Sequence, residues 1–161
     1  DRSLVGSEMC IRDRSLAFND VSLIRSSSKI AKIKIEVNNK TRIEEFLGDG
    51  CLIATPAGSS AYNLSLRGPV IPVGAKVLAL TPISPYRPRR WRGALLTNDA
   101  KITLYAIDSK LRPVRAEADF MQFENIDRLE IELEKKLFVH LLFDPGHDLE
   151  ERIINEQFNN S

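Results

Sequence analysis

The stretch Ala31–Thr55, AKIKIEVNNKTRIEEFLGDGCLIAT, contains the patterns that decide the fold. Apolar and polar side chains alternate along Ala31–Val37, which is typical of a strand with one buried face and one face in water. Asn38 and Asn39 follow, and asparagine tolerates the positive φ angles of a tight hairpin turn. Cys51–Thr55 is almost continuously apolar, which indicates a strand that is covered on both faces.

The same two patterns recur along the rest of the chain. Alternation is found again in Lys101–Asp108 and Arg128–Glu134, and apolar runs are found in Val77–Ile83 and Leu137–Phe143. Helical periodicity is nearly absent before the end of the chain. Many short strands joined by turns predict a mainly β fold of the two-sheet β-sandwich type.

The composition argues against several classes of function. The 161 residues include 23 basic and 22 acidic ones, and the formal net charge of +1 provides no overall attraction to nucleic acid or to a membrane surface. Cys10 and Cys51 lie far apart and only two histidines accompany them, so the ligand spacing of a zinc site is absent. No apolar run approaches the roughly 18 residues of a membrane-spanning helix. We expect a cytoplasmic protein with unpaired thiols and no membrane partner.

Three segments are predicted along the chain. Residues 1–14, DRSLVGSEMCIRDR, have scattered charges and no periodicity, and they resemble a translated adapter sequence, so we expect them to be non-native. Residues 15–147 form the predicted β-domain. Residues 148–161 are predicted to be a C-terminal helix and tail, because Asp148 and Glu151 have the spacing of a capping box before an apolar stripe.

The apolar strand is followed by a loop of small and hydroxylated residues, Pro56–Ser65 (PAGSSAYNLS). Its hydroxyl and amide groups can bind a sugar, a base edge or phosphate oxygens, and Tyr62 offers an aromatic face for stacking. The loop has neither a P-loop nor a GxGxxG pattern. From the residues alone, a nucleotide-like ligand and a polar surface turn both stay open. Before the strand, Asp49 between Gly48 and Gly50 fits a tight turn for which glycine supplies the φ angles, as in a simple hairpin.

Three other polar features are candidates for function. Asn19 and Asp20 are adjacent within an apolar strand pattern, which indicates either a ligand-binding pair or a bend. Tyr86–Arg92 (YRPRRWR) interleaves arginines with aromatic residues, so it could bind phosphates or single-stranded nucleic acid, or lie in water with its arginines paired to acidic strand faces. Glu117 and Asp119 are predicted on one face of a strand, but no base or nucleophile converges with them in the sequence.

Taken together, three segments resemble the C-terminal, substrate-binding region of NAD kinase, and most of all the alphaproteobacterial enzymes. They are Phe18–Asp20 (FND), Gly48–Pro69 (GDGCLIATPAGSSAYNLSLRGP) and Leu78–Pro85 (LALTPISP). The resemblance implies phosphorylation of the adenosine 2′-hydroxyl of NAD, with ATP or polyphosphate as donor and a divalent metal such as Mg²⁺ accompanying that donor. It also implies a β-sandwich lobe that binds NAD, and an N-terminal α/β lobe whose Gly-Gly-Asp-Gly loop carries the expected general base.

The resemblance also implies the residues that bind NAD. The Asn19–Asp20 pair should contact the adenosine, with Asp20 one methylene shorter than the family's usual Glu, and Ser60 stands where the family has Thr. Asp49 should reach the nicotinamide end, in the site of a neighbouring subunit of a homo-oligomer (dimer or tetramer). No metal ligand or catalytic residue is expected in this chain. The full set of NAD-binding residues is Asn19, Asp20, Asp49, Ala57, Ser60, Ala61, Tyr62, Asn63 and Ser65.

Because Leu47 precedes Gly48–Gly50, this Gly-Asp-Gly is not the Gly-Gly-Asp-Gly loop. We therefore expect the catalytic lobe to be absent and the 161 residues alone to have no kinase activity. We also expect the apolar stripe of the C-terminal helix to be exposed. Two other functions stay open: a non-catalytic β-rich module that binds nucleic acid through Tyr86–Arg92, and a kinase of the same superfold that acts on a lipid alcohol.

Overall fold

The computed structural model describes residues 4–5, 15–134, 154, 157 and 158, and within them it contains two six-stranded sheets. All neighbouring strands are antiparallel, which confirms the predicted two-sheet fold. The first sheet contains, in spatial order, β2 (Leu16–Ala17), β1 (Leu4–Val5), β12 (Arg128–Leu133), β9 (Ile102–Ala106), β4 (Ala31–Val37) and β5 (Lys40–Gly48). The second contains β11 (Met121–Phe123), β10 (Val114–Ala118), β3 (Asp20–Arg25), β6 (Gly50–Ala54), β7 (Val77–Ile83) and β8 (Ala94–Thr97).

The core lies between the two sheets and follows the predicted alternation. On β4 the apolar side chains, such as Ile33 and Ile35, are fully buried, and the lysines between them are half-buried. Leu129 and Ile131 of β12 are buried in the same cluster, together with Leu23 of β3. Because burial of apolar surface is the main favourable term in folding, this alternation fixes which face of each strand is turned inward.

A second apolar cluster lies on the outer face of the second sheet. It contains Leu52 and Ala54 of β6 and Ala79 of β7, with Ile71 from the segment between these strands packed over them. Every residue of β6 is therefore buried, as the apolar run predicted. The cluster attaches the segment between β6 and β7 to the sheet, and this segment carries the small and hydroxylated residues.

The turns confirm one prediction and correct another. Asn38 and Asn39 have φ angles of 53° and 62° in the hairpin between β4 and β5, as predicted. Gly48–Gly50 does not form the simple hairpin that its residues fit, because β5 belongs to the first sheet and β6 to the second. Glycine is needed there for close packing rather than for φ. A Cβ on Gly50 would lie 2.0 Å from the carbonyl oxygen of Leu23.

Several sequence predictions concern the chain ends. Within residues 1–14, Leu4–Val5 form β1 and pair with β12 and β2. The apolar run Leu137–Phe143 and the start of the helix predicted from Asp148 lie outside the described residues. Near the chain end, Ile154 and Phe158 are 47% and 81% exposed. Within the described residues, no helix has the length and apolar character needed to cross a membrane.

Candidate functional site

Three chain segments meet at one end of the second sheet. β3 begins at Asp20, which is paired with Ala54 at the end of β6, and Val21 is paired with Ala118 at the end of β10. The bend before β3, the loop after β6 and the turn after β10 are therefore neighbours. Antiparallel strand pairing therefore brings together residues that are as far apart in the sequence as positions 18 and 119.

Asp119 binds the backbone of the bend before β3. Its carboxylate accepts hydrogen bonds from the N–H groups of Phe18 (2.5 Å), Asn19 (3.0 Å) and Asp20 (3.2 Å). The N–H of Asp119 donates in return to the carbonyl of Asp20 at 3.2 Å. With a φ of 50°, Asp119 lies in the turn that follows β10, so the prediction that it shares a strand face with Glu117 is wrong.

Thr55 binds the same bend from the other side. Its hydroxyl lies 2.8 Å from the carbonyl oxygen of Phe18 and 3.2 Å from that of Asn19, and it accepts the N–H of Gly58 at 3.0 Å. The Thr55 N–H donates to the Asn19 carbonyl at 3.0 Å. A Cβ on Gly58 would lie 2.0 Å from that carbonyl oxygen, so only glycine lets the loop approach the bend this closely.

The Asn19–Asp20 pair is thus held through its backbone while its side chains stay free. Both residues are half-buried, and neither the Asn19 amide nor the Asp20 carboxylate has a hydrogen-bond partner among the described residues. Asn19 lies in the bend between β2 and β3, and Asp20 is the first residue of β3, so the bend that the sequence left open is present. Both side chains are therefore available to a ligand.

The loop after β6 folds into two short helical turns, a 3-10 turn at Ala57–Ser60 and α1 at Tyr62–Ser65. The hydroxyl of Ser59 accepts the N–H of Ile71 at 2.8 Å and donates to the carbonyl of Pro56 at 2.7 Å. Ser60 is 7% exposed, and its Oγ has no hydrogen-bond partner among the described residues. Burying an unpaired hydroxyl is costly, so this atom is available to a bound polar group.

Asn63, which was predicted to contact the ligand, is instead buried and bonded within the protein. Its side chain is fully buried, its amide nitrogen donates to the carbonyls of Ser59 (3.2 Å) and Pro69 (2.9 Å), and its oxygen accepts the Thr81 hydroxyl at 2.6 Å. These bonds tie the loop to β7. Ala57 and Ala61 are half-buried, and Ser65 is exposed in α1.

Tyr62 projects from α1 among charged residues of the second sheet and is 40% exposed. Partial burial raises the pKa of its hydroxyl, and the Glu117, Asp49 and Asp20 carboxylates raise it further, while Arg115 lowers it. The ring therefore lies within electrostatic reach of all four side chains.

Asp20 is the other titratable group with an altered pKa in this region. Burial, then the Asp119 carboxylate and then the Glu117 carboxylate raise the pKa of Asp20 to about 6. Glu117 itself is paired with Arg115 at 2.9 Å and accepts the Gln122 amide at 3.1 Å. The site therefore holds a carboxyl group that changes charge close to neutral pH.

Asp49 lies at the opposite end of β3. Its carboxylate pairs with Nε of Arg25 at 2.9 Å, and its N–H donates to the carbonyl of Ile83. Since β3 runs from Asp20 to Arg25, the rise of an extended strand separates the two ends by roughly 17 Å. Carboxylates at both ends of β3 raise the pKa of Tyr62, so we treat these residues as one candidate strip along the second sheet.

The basic loop after β7 begins beside Asp49. It is anchored where Tyr86 N–H donates to the carbonyl of Leu47 and Leu47 N–H donates to the carbonyl of Arg87. The guanidinium carbons of Arg87 and Arg89 lie 5.6 and 5.4 Å from the centroid of the Tyr86 ring. Among the described residues, no arginine of Arg87–Arg92 forms an ion pair, so these side chains do not neutralise the acidic strand faces.

Sequence reasoning missed two parts of the site. These parts are Thr55 and Arg25. Thr55 directly follows a buried strand and is 2% exposed, and a polar side chain buried there needs hydrogen-bond partners, so its position was the available signal. The part of the chain that the structure describes contains no cluster of acidic, histidine or cysteine side chains suited to a metal ion. Cys51 is buried as a free thiol, and burial raises its pKa.

The sequence profile of the ATP-NAD kinase C-terminal domain matches residues 18–119, which include every residue of this strip. The chain belongs to the ATP-NAD kinase family. The match begins at the bend held by Asp119 and ends at Asp119 itself. The resemblance inferred from the three sequence segments is therefore confirmed for the C-terminal NAD kinase domain.

Curated NAD kinases give the same result. The chain is 49% identical to the NAD kinase of Hyphomonas neptunium over 145 residues, which are 90% of this chain and 57% of that protein. It is 52% identical to the NAD kinase of Cereibacter sphaeroides strain ATCC 17025 over 143 residues, covering 89% and 56%, and 50% identical to that of Xylella fastidiosa strain Temecula1 over 152 residues, covering 94% and 59%. The chain thus spans less than two thirds of the length of these relatives. The similarity extends beyond the alphaproteobacteria.

Solved structures show the same fold at low identity. The NAD kinase domain described here superimposes on yeast NADH kinase complexed with NADH with a TM-score of 0.80 and 23% identity, covering 99% of this chain and 48% of that one. It superimposes on an NAD kinase from Archaeoglobus fulgidus in complex with ATP with a TM-score of 0.77 and 21% identity, covering 96% and 58%. These likenesses establish the β-sandwich lobe.

Proposed function

We propose that this domain binds NAD and presents the adenosine 2′-hydroxyl for phosphorylation to NADP by the NAD kinase to which it belongs. The observation that carries the proposal is the strip of free polar groups in the family's matched region: the unpartnered side chains of Asn19 and Asp20, the unpartnered Ser60 Oγ, and the exposed ring of Tyr62. Polar groups without protein partners, next to an exposed aromatic face, suit a ligand with sugar hydroxyls and a planar base.

Each end of the strip suits a different part of the dinucleotide. We assign the adenosine to Asn19 and Asp20, and the adjoining wall to Ser60, Ala61, Tyr62 and Ser65. Asn63 shapes this wall from behind through its three buried hydrogen bonds. Asp49 at the far end is assigned to the nicotinamide part, in the site of a neighbouring subunit of a homo-oligomer. Ala57, which was expected beside Asp49, adjoins Gly58 at the Asn19 bend, so we assign it to the adenosine end.

The remaining components lie outside this domain in the proposal. The phosphate donor is ATP or polyphosphate, and a divalent metal such as Mg²⁺ would be carried by the donor phosphates, since the described residues offer it no acidic cluster. Phosphoryl transfer depends on positioning and charge neutralisation around those phosphates. The domain's own contribution is to bind and orient the acceptor, and we place the reaction in the cytoplasm.

Calorimetric titration of the chain with NAD tests the proposal. Saturable binding is expected, and Tyr62→Ala should weaken it by about tenfold or more, since stacking on one base is worth roughly 1–3 kcal/mol. Tyr62→Phe should retain most of the affinity if the ring face matters more than the hydroxyl.

Tyr86→Ala is the matched control, because Tyr86 is similarly exposed but lies in the basic loop. NAD binding should not change in this variant. The result against the proposal would be no NAD binding together with binding of a single-stranded oligonucleotide that falls steeply with salt and is lost in Tyr86→Ala. That outcome would support the nucleic-acid module instead.

A further inference from the structure

We propose that Asp119 is the positioning residue for the Asn19–Asp20 pair, which it holds in the conformation that binds NAD. The inference deepens the proposed function and rests on it for the identity of the ligand. Asp119 itself does not contact the ligand in this proposal. It acts through the backbone of Phe18–Asp20, a hundred residues earlier in the sequence.

The first argument is that the N–H groups of Phe18 and Asn19 have no backbone acceptor among the described residues. β2 ends at Ala17 and β3 begins at Asp20, so the residues between them have no partner strand there. The Asp119 carboxylate accepts from all three consecutive N–H groups of the bend. Hydrogen bonds to a charged acceptor are roughly twice as strong as neutral ones, and each buried N–H left unpaired would cost free energy.

The second argument is that the opposite side of the bend is also fixed. The carbonyls of Phe18 and Asn19 are bound by Thr55, and Gly58 packs directly against Asn19. With Asp119 on the N–H side and Thr55 on the carbonyl side, only the side chains of Asn19 and Asp20 stay unbound. A site of this kind is preorganised, because the ordering cost of the backbone is met on folding rather than on binding.

The third argument concerns charge. Asp119 is the largest electrostatic contributor to the raised pKa of Asp20, after burial and ahead of Glu117. Tyr62 on α1 also interacts electrostatically with Asp20, and Glu117 is itself paired with Arg115 on β10. Removing the charge of Asp119 should therefore lower the pKa of Asp20, while removing its oxygens should release the bend.

Two substitutions separate these effects. Asp119→Asn removes the charge and keeps one acceptor oxygen, and asparagine also tolerates the positive φ. Asp119→Ala removes both acceptor oxygens. Asp108→Asn is the matched control, since Asp108 has a φ of 53° in another turn and its carboxylate makes only an exposed 3.4 Å pair with Lys32.

The NAD dissociation constant of the full chain should be measured from pH 5 to pH 8. For the wild type we expect affinity to rise through pH 6, because ionised Asp20 accepts a ligand hydrogen bond better than the protonated acid does. Asp119→Asn should move the midpoint to lower pH, and Asp119→Ala should weaken binding about tenfold or more at every pH. Asp108→Asn should leave both the affinity and the midpoint unchanged. If Asp119 had a purely structural role, Asp119→Asn would lower the NAD affinity without moving the pH midpoint of binding. That result would overturn the proposal.

Amide hydrogen exchange provides a readout that is independent of the ligand. We expect faster exchange at Phe18, Asn19 and Asp20 in Asp119→Ala, and wild-type rates at these positions in Asp108→Asn. If the wild type does not bind NAD, the proposed function fails, and the exchange rates then decide the role of Asp119 alone. Unchanged protection in Asp119→Ala would contradict that role in either case.

Discussion

At the scale of single residues, the loop after β6 assigns different tasks to side chains that look alike in sequence. Ser59 and Asn63 use their polar atoms inside the protein, while Ser60 leaves its Oγ unpartnered and Ser65 is exposed. The difference is orientation on two short helical turns. Asn63 binds Thr81 of β7, and Ser59 binds Ile71 in the segment between β6 and β7, so these two polar side chains hold the loop in place.

Asn63→Ala should therefore act on stability. The substitution leaves the Thr81 hydroxyl and the carbonyls of Ser59 and Pro69 without their partner, and each buried unsatisfied group costs about 1–3 kcal/mol. We expect the free energy of unfolding to fall by roughly 2–4 kcal/mol in a urea titration. Ser65→Ala, at an exposed position of the same turn, should change it by less than about 0.5 kcal/mol.

A direct ligand role for Asn63 would give the opposite result. NAD affinity would then fall in Asn63→Ala with the urea midpoint unchanged. Sequence alone could not make this distinction, because four of the five residues from Ser59 to Asn63 are small or polar and no periodicity shows which of them point inward. The bonds of Asn63 depend on Thr81 and Pro69, whose places near the loop follow only from the folded segment between β6 and β7.

At the scale of elements, the regular strands were readable from the sequence and the junctions between them were not. Alternation identified β4 and β12 because each has one face in the common core, and the apolar run identified β6 because both its faces are buried. At Gly48–Gly50 the residues of a hairpin instead carry the chain from one sheet to the other. Local turn chemistry fits both arrangements, and the packing of Gly50 against Leu23 decides between them.

The junction after β6 should be sensitive to a single methyl group. Gly58→Ala would place a Cβ against the backbone oxygen of Asn19, which cannot move without breaking the bonds to Thr55. We expect a loss of more than about 2 kcal/mol in unfolding free energy, typical of overpacking at a close backbone contact. NAD binding should weaken as well, since the Asn19–Asp20 bend is displaced.

Gly74→Ala is the control for this prediction. Gly74 has a φ of 95° and nothing within 4 Å of an added Cβ, so only backbone strain of about 1 kcal/mol is expected, with no effect on NAD affinity. Thermal unfolding and calorimetric titration of both variants test this prediction. If Gly58→Ala and Gly74→Ala lost equal stability and equal NAD affinity, the close approach of Gly58 to the bend would not be the cause of the losses.

At the scale of the whole molecule, the sandwich separates the two ends of the candidate strip. Asp20 and Asp49 lie at opposite ends of β3, and the connections that reach them both come from the first sheet: the bend after β2 at one end and the crossing after β5 at the other. The second sheet sets the distance between these groups, and Tyr62 belongs to the loop that is attached to this sheet. Such a surface can bind an extended ligand, but it offers few groups for chemistry on that ligand.

From the proposed function, we predict that the 161-residue chain binds NAD but does not phosphorylate it alone. Transfer from ATP needs groups that position the donor and neutralise its phosphates. Among the described residues no metal-binding cluster is present, and Asp49, the one acidic residue in a Gly-Asp-Gly sequence, is paired with Arg25. Incubation of the purified chain with NAD, ATP and Mg²⁺ should yield no NADP, whereas the longer Hyphomonas neptunium NAD kinase, as a positive control, should form it. ATP-dependent NADP formation by the purified chain, abolished in Asp49→Asn, would refute this prediction and make Asp49 a candidate base.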